Sequence, residues 1–246
     1  MNPMPRVLLG LLLLAAASFA QPKTDSLDQL ASDFWAWRAE SRPFSSDDVP
    51  RIEHAPGTRE WSATAIAKQR GYLAAFEHRW RALNTAGWPV ARMVDYRLMG
   101  SAIARVRWEL DINPRWQRDP AFYVEQTIVA LQEELMPPPP FGDARSREIV
   151  ARAENIPSIL EQGKLNLKAI APFARLTIAS LSGIDARLAR VERGVSPGAP
   201  WPDAAFAAIC SFVGESREAY EQAFFPHMER LQGDIPTIRT SRSSSR

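Results

Sequence analysis

The sequence predicts an all-α protein, a multi-helix bundle with proline-marked loops, and three observations carry that prediction. Apolar residues recur at three- and four-residue spacing through most of the chain. No sustained period-two run of β-branched residues occurs. Prolines, singly or in clusters, punctuate the periodic stretches.

Leu27, Leu30, Phe34 and Trp37 mark a first helix that closes near Pro43. The Ser-, Asp- and Pro-rich stretch FSSDDVPRIEHAPGTREW (44–61) follows as a loop. Ser62 is placed to cap a second helix with the stripe Ile66, Leu73, Phe76, Trp80 and Leu83, ended by Gly87 and Pro89. The third helix holds VDYRLMGSAIARVRWELD (94–111) and finishes near Asn113 and Pro114. At 100° per residue, Val94, Leu98, Met99, Ala102, Val106 and Leu110 share a face, with Asp95 and Glu109 inside the same stripe. Asp119 and Pro120 put a cap and a first-turn proline before a fourth helix carrying Val124, Ile128, Leu131 and Leu135.

Four prolines, Pro137 to Pro140, impose an extended connector. Ile149, Ala153 and Ile156 lead up to Pro157, which is expected to kink or divide that helix. Ile178, Leu181, Leu188 and Val191 mark one further helix, with Arg187, Arg190 and Arg193 near its C-terminus and Gly194 at its end. After the break SPGAPWP (196–202), Phe206, Ile209, Val213, Tyr220 and Phe224 mark a last helix. Seven or so helices with short loops read as one domain over residues 21–232, with no internal repeat. The polar stretch 233–246, GDIPTIRTSRSSSR, lacks periodicity and reads as a disordered Ser/Arg tail.

At 246 residues and 46% hydrophobic, the chain is large enough to bury a real core. Thirty Lys and Arg against 28 Asp and Glu leave a formal charge of +2 with the signs interleaved, so bulk charge recruits neither nucleic acid nor an anionic membrane. Residues 1–20 have Arg6, eleven apolar or small residues from Val7 to Ala17, and a small-x-small end, the pattern of a signal peptide cleaved after Ala20. That apolar run spans roughly 16 Å as a helix, about half a bilayer core, so no permanent anchor is expected. With the lone Cys210 far from this region, neither a lipid-bearing thiol nor an internal disulfide is expected. The expected location is periplasmic or secreted.

The residues that usually carry chemistry are sparse. His54, His78 and His227 are isolated from one another, which does not suit a helical zinc site, so no metal or cofactor residue is assigned. No serine-nucleophile elbow and no phosphate-binding glycine motif occurs; Ser182 and Ser211 lie in helical text, and Cys210 reads as a small core residue. No catalytic residue is assigned. Asp95 and Glu109, fourteen residues apart, stand roughly 21 Å from each other along a helix, too far for a catalytic carboxylate pair. Glu109 follows Arg105, and Asp111 follows Arg107, by four residues, which favours structural ion pairs. The eight tryptophans read as core and helix-crossing anchors, with a ligand groove as the alternative.

The order LDQLASDFWAWRAESRPFSSDDVPRIE, YLAAFEHRWRALNTAGWPVARMVDYRLMGSAIARVRWELD, DPAFYVEQTI, LMPPPPF, NIPSILEQGKLNL and APFARLTIASL resembles the N-terminal part of the bacterial domain of unknown function 885 family, over roughly residues 27–190. The resemblance implies a helical, exported protein similar to helical zinc peptidases. The zinc motif of such proteins belongs to a C-terminal half that no position here matches, so zinc is implied only for that half. On this reading the chain is a scaffold or substrate-channel part, inactive alone, whose partners are peptides or a separate C-terminal half. The alternative is a stand-alone periplasmic helical binding or interaction module.

Overall fold

The computed structural model describes residues 26–45, 54–136, 142–168, 171–194 and 203–233. The expected signal peptide, four-proline connector, 196–202 break and Ser/Arg tail from residue 234 fall outside the described residues. Every regular element among the described residues is helical: α1 (Leu27–Ser41), α2 (Ala63–Arg81), α3 (Val90–Arg107), α4 (Arg115–Arg118), α5 (Ala121–Val124), α6 (Ala130–Leu135), α7 (Asp143–Glu154), α8 (Ile156–Asn166), α9 (Ala171–Leu181), α10 (Ile184–Gly194), α11 (Asp203–Glu218) and α12 (Phe225–Gly233). Wider π turns extend α3 through Trp108–Ile112, join α5 to α6 through Glu125–Val129, and join α11 to α12 through Ala219–Phe224.

The local signals act as their chemistry requires. Ser62 Oγ accepts the Ala65 amide at 3.1 Å and caps α2, and Ser26 does the same for α1 through Gln29. Asp119 Oδ1 accepts the Ala121 amide at 3.1 Å at the head of α5. Pro157 falls in the first turn of α8, where its missing N–H costs nothing, and the expected division from α7 occurs at Asn155.

Three expectations are corrected. The single helix expected from Ile178 to Gly194 is two, α9 and α10, divided at Ser182 and Gly183. The Ser182 hydroxyl bonds the Ala179 carbonyl at 2.7 Å, and Gly183 adds backbone entropy that resists continuation. The fourth and last helices each contain a π turn, so their apolar stripes change register partway along. The apolar face expected on the third helix is rotated: Met99, Ile103, Val106 and Leu110 are buried, while Val94 (48% exposed) and Leu98 (63%) face solvent and Asp95 is exposed.

Two cores organise the molecule. The smaller one joins α1, α2 and α3 through Leu27, Leu30, Phe34, Leu73, Phe76, Met99, Ile103, Val106 and Leu110. The larger gathers Trp61, Ile66, Trp116, Tyr123, Leu131, Ile149, Ile156, Leu160, Leu188, Ile209 and Phe224, among others. α2 belongs to both, since Ile66 lies in the larger core and Leu73 and Phe76 in the smaller.

Aromatic rings pack onto bare backbone in each core. Trp80 covers Gly100 so closely that an added Cβ would overlap the indole, and a Cβ on Gly163 would lie 2.8 Å from Tyr123 Cγ. No helix among the described residues is long and apolar enough to cross a membrane.

Candidate functional site

Where the two cores meet, a cleft of about 390 Å³ opens, within the size range of small-molecule sites. Its walls come from four places. The end of α1 and the following turn supply Arg38, Arg42 and Phe44; Trp61 and Gln69 come from the approach to α2 and from α2 itself. Arg105 of α3 is joined by Trp108, Glu109 and Leu110 of its π turn, and Arg115, Trp116, Phe122 and Glu125 close the far side.

The π turn shapes this wall. Asn113 N donates to the Trp108 carbonyl at 2.8 Å, a five-residue spacing that widens the last turn of the helix. Leu110 stays in the small core while Glu109 lines the cleft and reaches Arg38 of α1. Arg105 Nε donates to the other oxygen of Glu109 at 3.0 Å, so one carboxylate serves two guanidinium groups. Burial pulls the Arg38 pKa down; Glu109 raises it, and the nearby charges of Arg42 and Arg105 lower it again. The opposite wall is neutralised differently. Burial alone would lower Arg115, but its hydrogen bonds and charge contacts with Glu125 and Asp119 prevail and hold it above its usual value.

Trp61 is 2% exposed and held from both sides. Its amide donates to Gln162 Oε1 at 2.6 Å, its carbonyl accepts from Asn166 Nδ2 at 2.5 Å, and its ring meets Phe122 edge-on at 4.6 Å. The buried indole Nε1–H, in contrast, has no acceptor among the described residues. A buried donor in that state costs on the order of 1–3 kcal/mol. Trp116 does find one, donating to the Leu110 carbonyl at 3.2 Å. Beside the cleft, Phe44 lies between the guanidinium groups of Arg59 and Arg152, at 4.7 and 4.8 Å, and Gln126 bonds both its amide and its carbonyl at 2.9 Å. Burial, with the charge of Arg152, pushes the Arg59 pKa down to about 10.

The residues singled out from sequence fall on both sides of this boundary. Glu109 is in an ion-pair network with arginines, as expected. Asp95 is not in the packing at all. Asp111 pairs with Arg70 at 2.7 Å instead of Arg107, and Arg107 turns to Glu77, because the π turn rotates Asp111 off the line of Arg107. His54 bonds Glu133 at 3.1 Å and lies tilted against Phe44 with ring centroids 4.5 Å apart, His78 is exposed, and His227 lies in α12. Ser211 reaches Glu215, and burial with the charge of Glu192 raises the Cys210 thiol, which opposes thiolate chemistry. Trp61, Trp108 and Trp116 line the cleft, whereas Trp80 and Trp88 pack on Tyr96 and Trp201 lies outside the described residues.

Arg38, Arg42 and Arg115 are the site residues that sequence reasoning passed over. The first had a readable signal: Arg38 stands four residues after Phe34, an arginine inside the apolar stripe of α1.

No protein-family model matches the chain, and no curated protein matches it. A solved structure from Shewanella oneidensis, described as "a putative lipoprotein of unknown function", superposes on 85% of this chain with a TM-score of 0.60 and 17% sequence identity. At that identity the likeness is one of fold. The match covers 37% of the solved protein, so the present chain corresponds to well under half of that longer molecule.

Proposed function

We propose that this chain is the helical scaffold and substrate-channel part of a larger, exported, peptidase-like protein, and that the arginine- and tryptophan-lined cleft is the wall it presents to substrate. The observation that carries the reading is the fold match itself: an arrangement filling 85% of this chain is 37% of a longer one. The description of that protein as a lipoprotein supports an envelope location. Solvent-facing Val90, Val94 and Leu98, spaced four residues apart on α3, support a fold that continues over this face.

The peptidase part of the proposal rests on the resemblance to the domain of unknown function 885 family. The residues here offer zinc no site, since no three His, Cys, Asp or Glu side chains converge among the described residues. The role proposed for this chain is to bind and orient substrate. The purified chain, supplied with zinc and a mixture of fluorogenic peptides, should give no cleavage above buffer. Zinc-dependent cleavage abolished by a chelator would overturn the reading.

A second reading, a stand-alone binding module, is favoured by one observation: both cores close within this chain, with Leu30 and Phe34 in the smaller and Leu131 and Ile149 in the larger fully buried. It expects a single sharp thermal transition with little binding of an apolar dye before the melt. A broad transition with strong dye binding would favour the scaffold.

A further inference from the structure

We infer that the cleft binds a carboxylate carried on an apolar or aromatic body, with Arg105 and Arg38 receiving the charge and Trp61, Trp108 and Phe122 enclosing the body. This rests on the cleft being the substrate-facing wall and deepens that reading by naming the chemical class it accepts.

The guanidinium groups come first. Glu109 spends one oxygen on Arg38 and the other on Arg105, and each arginine meets it through one nitrogen. A guanidinium carries five N–H donors, so both keep donors beyond Glu109. The Arg105 side chain is 72% exposed, which leaves its outer edge open to a second carboxylate. Arg42 lines the same wall, and its charge acts on Arg38. Arg115 across the cleft is already met by two carboxylates and attracts no third.

The backbone of Trp61 is fixed by Gln162 and Asn166, and its ring is packed edge-on against Phe122, so the edge it turns to the cleft belongs to a rigid wall. Phe122 and Trp108 give the flat apolar surfaces that a hydrophobic side chain or alkyl stem would cover. A singly charged carboxylate fits this balance better than a phosphate dianion, because Glu109 and Glu125 also line the cleft and repel extra charge. A volume near 390 Å³ suits the last residue or two of a peptide, or a free organic acid.

The test is equilibrium binding to the full chain, read by tryptophan fluorescence and confirmed by calorimetry. The probes are acetyl-Ala-Ala-Phe with a free carboxylate, the same peptide amidated, 3-phenylpropionate and inorganic phosphate. The free acid should bind at least about tenfold more tightly than the amide, because a hydrogen-bonded charge is lost with the carboxylate. Arg105→Gln should reduce acid binding by a similar factor with an unchanged melting temperature, while Arg81→Gln, on α2 away from the cleft, should leave it untouched. Phenylpropionate binding within about threefold of the peptide would identify a free acid as the source; a much tighter peptide would identify a chain end. Equal binding of acid and amide, no binding of either acid, or phosphate competing as well as the acids would overturn the proposal. Because the readout is binding, the result is separable from that of the cleavage assay.

Discussion

The two cores solve the same packing problem with different means. The small core of α1, α2 and α3 is edged with half-buried aromatics and fastened by ion pairs between helices, Asp28 to Arg92 and Asp33 to Arg79, each at 2.7 Å. The larger core is mostly aliphatic, and several of its buried polar groups are met internally: the Tyr123 hydroxyl donates to the Trp116 carbonyl at 2.6 Å, and Thr127 meets Tyr220. The comparison teaches where a site can form. Neither core can bury Arg38 by itself, so its charge is met at the junction by Glu109, and the cleft with its surplus of donors opens there.

The most damaging single change should be Phe34→Ala. Phe34 is fully buried and touches Trp35, Trp37 and Phe76, and its loss should cost about 3–5 kcal/mol by chemical denaturation. Because α2 spans both cores, a single transition is expected; two separated transitions would break the comparison into independent units. Glu109→Gln comes next. It strands the charge of Arg38 and should cost about 2–4 kcal/mol, somewhat less than a fully enclosed pair because Glu109 keeps some exposure. Asp95→Asn on the same helix should change stability by no more than about 0.5 kcal/mol, against the role that its place in the expected stripe suggested.

Gly163→Ala should follow, at about 1–3 kcal/mol, since the new methyl presses on the Tyr123 ring in the larger core. A thermal melt of that variant no lower than the parent would mean that Tyr123 shifts freely.

Acidification should give the smallest effects and should separate the two regions by pH. Burial, with the charges of Arg230 and Lys164, lowers the His227 pKa from 6.5, so the unfolded chain binds the proton more readily. The stability that this supplies to the larger core is therefore present above pH 6.5 and lost as pH falls through the depressed value. Asp28 and Asp33 are lowered from 3.8, chiefly by hydrogen bonds from Arg92 and Arg79. Their contribution to the small core is intact above 3.8 and lost only as pH falls below it. Melting temperature followed from pH 7 to pH 3 should thus decline in two stages, and His227→Gln should remove the first. Salt should weaken the second stage, since those carboxylates are exposed.

Much of the fold was legible in residues whose signals are local. Ser62 announced the cap of α2, Pro157 announced the division between α7 and α8, and the spacing of Leu27, Leu30 and Phe34 announced the buried side of α1. The site was less legible because its parts lie far apart in the chain. Arg38 meets Glu109 across 71 residues, and Trp61 meets Asn166 across 105. Glu109 stood out in the sequence as a charge in an apolar stripe, and its partner Arg38 carried the same signal unread.

What the sequence by itself determined is the helical class and the positions where helices start and stop, because periodicity, caps and prolines act within a few residues. What only the tertiary structure decided is which of two adjacent apolar stripes on α3 is covered, that of Met99, Ile103 and Val106 or that of Val90, Val94 and Leu98. Both stripes are hydrophobic and both obey the helical period. The choice depends on where α1 and α2 sit, and on the π turn that brings Glu109 to Arg38, and burial energy is set by the neighbours a side chain meets, which no local pattern specifies.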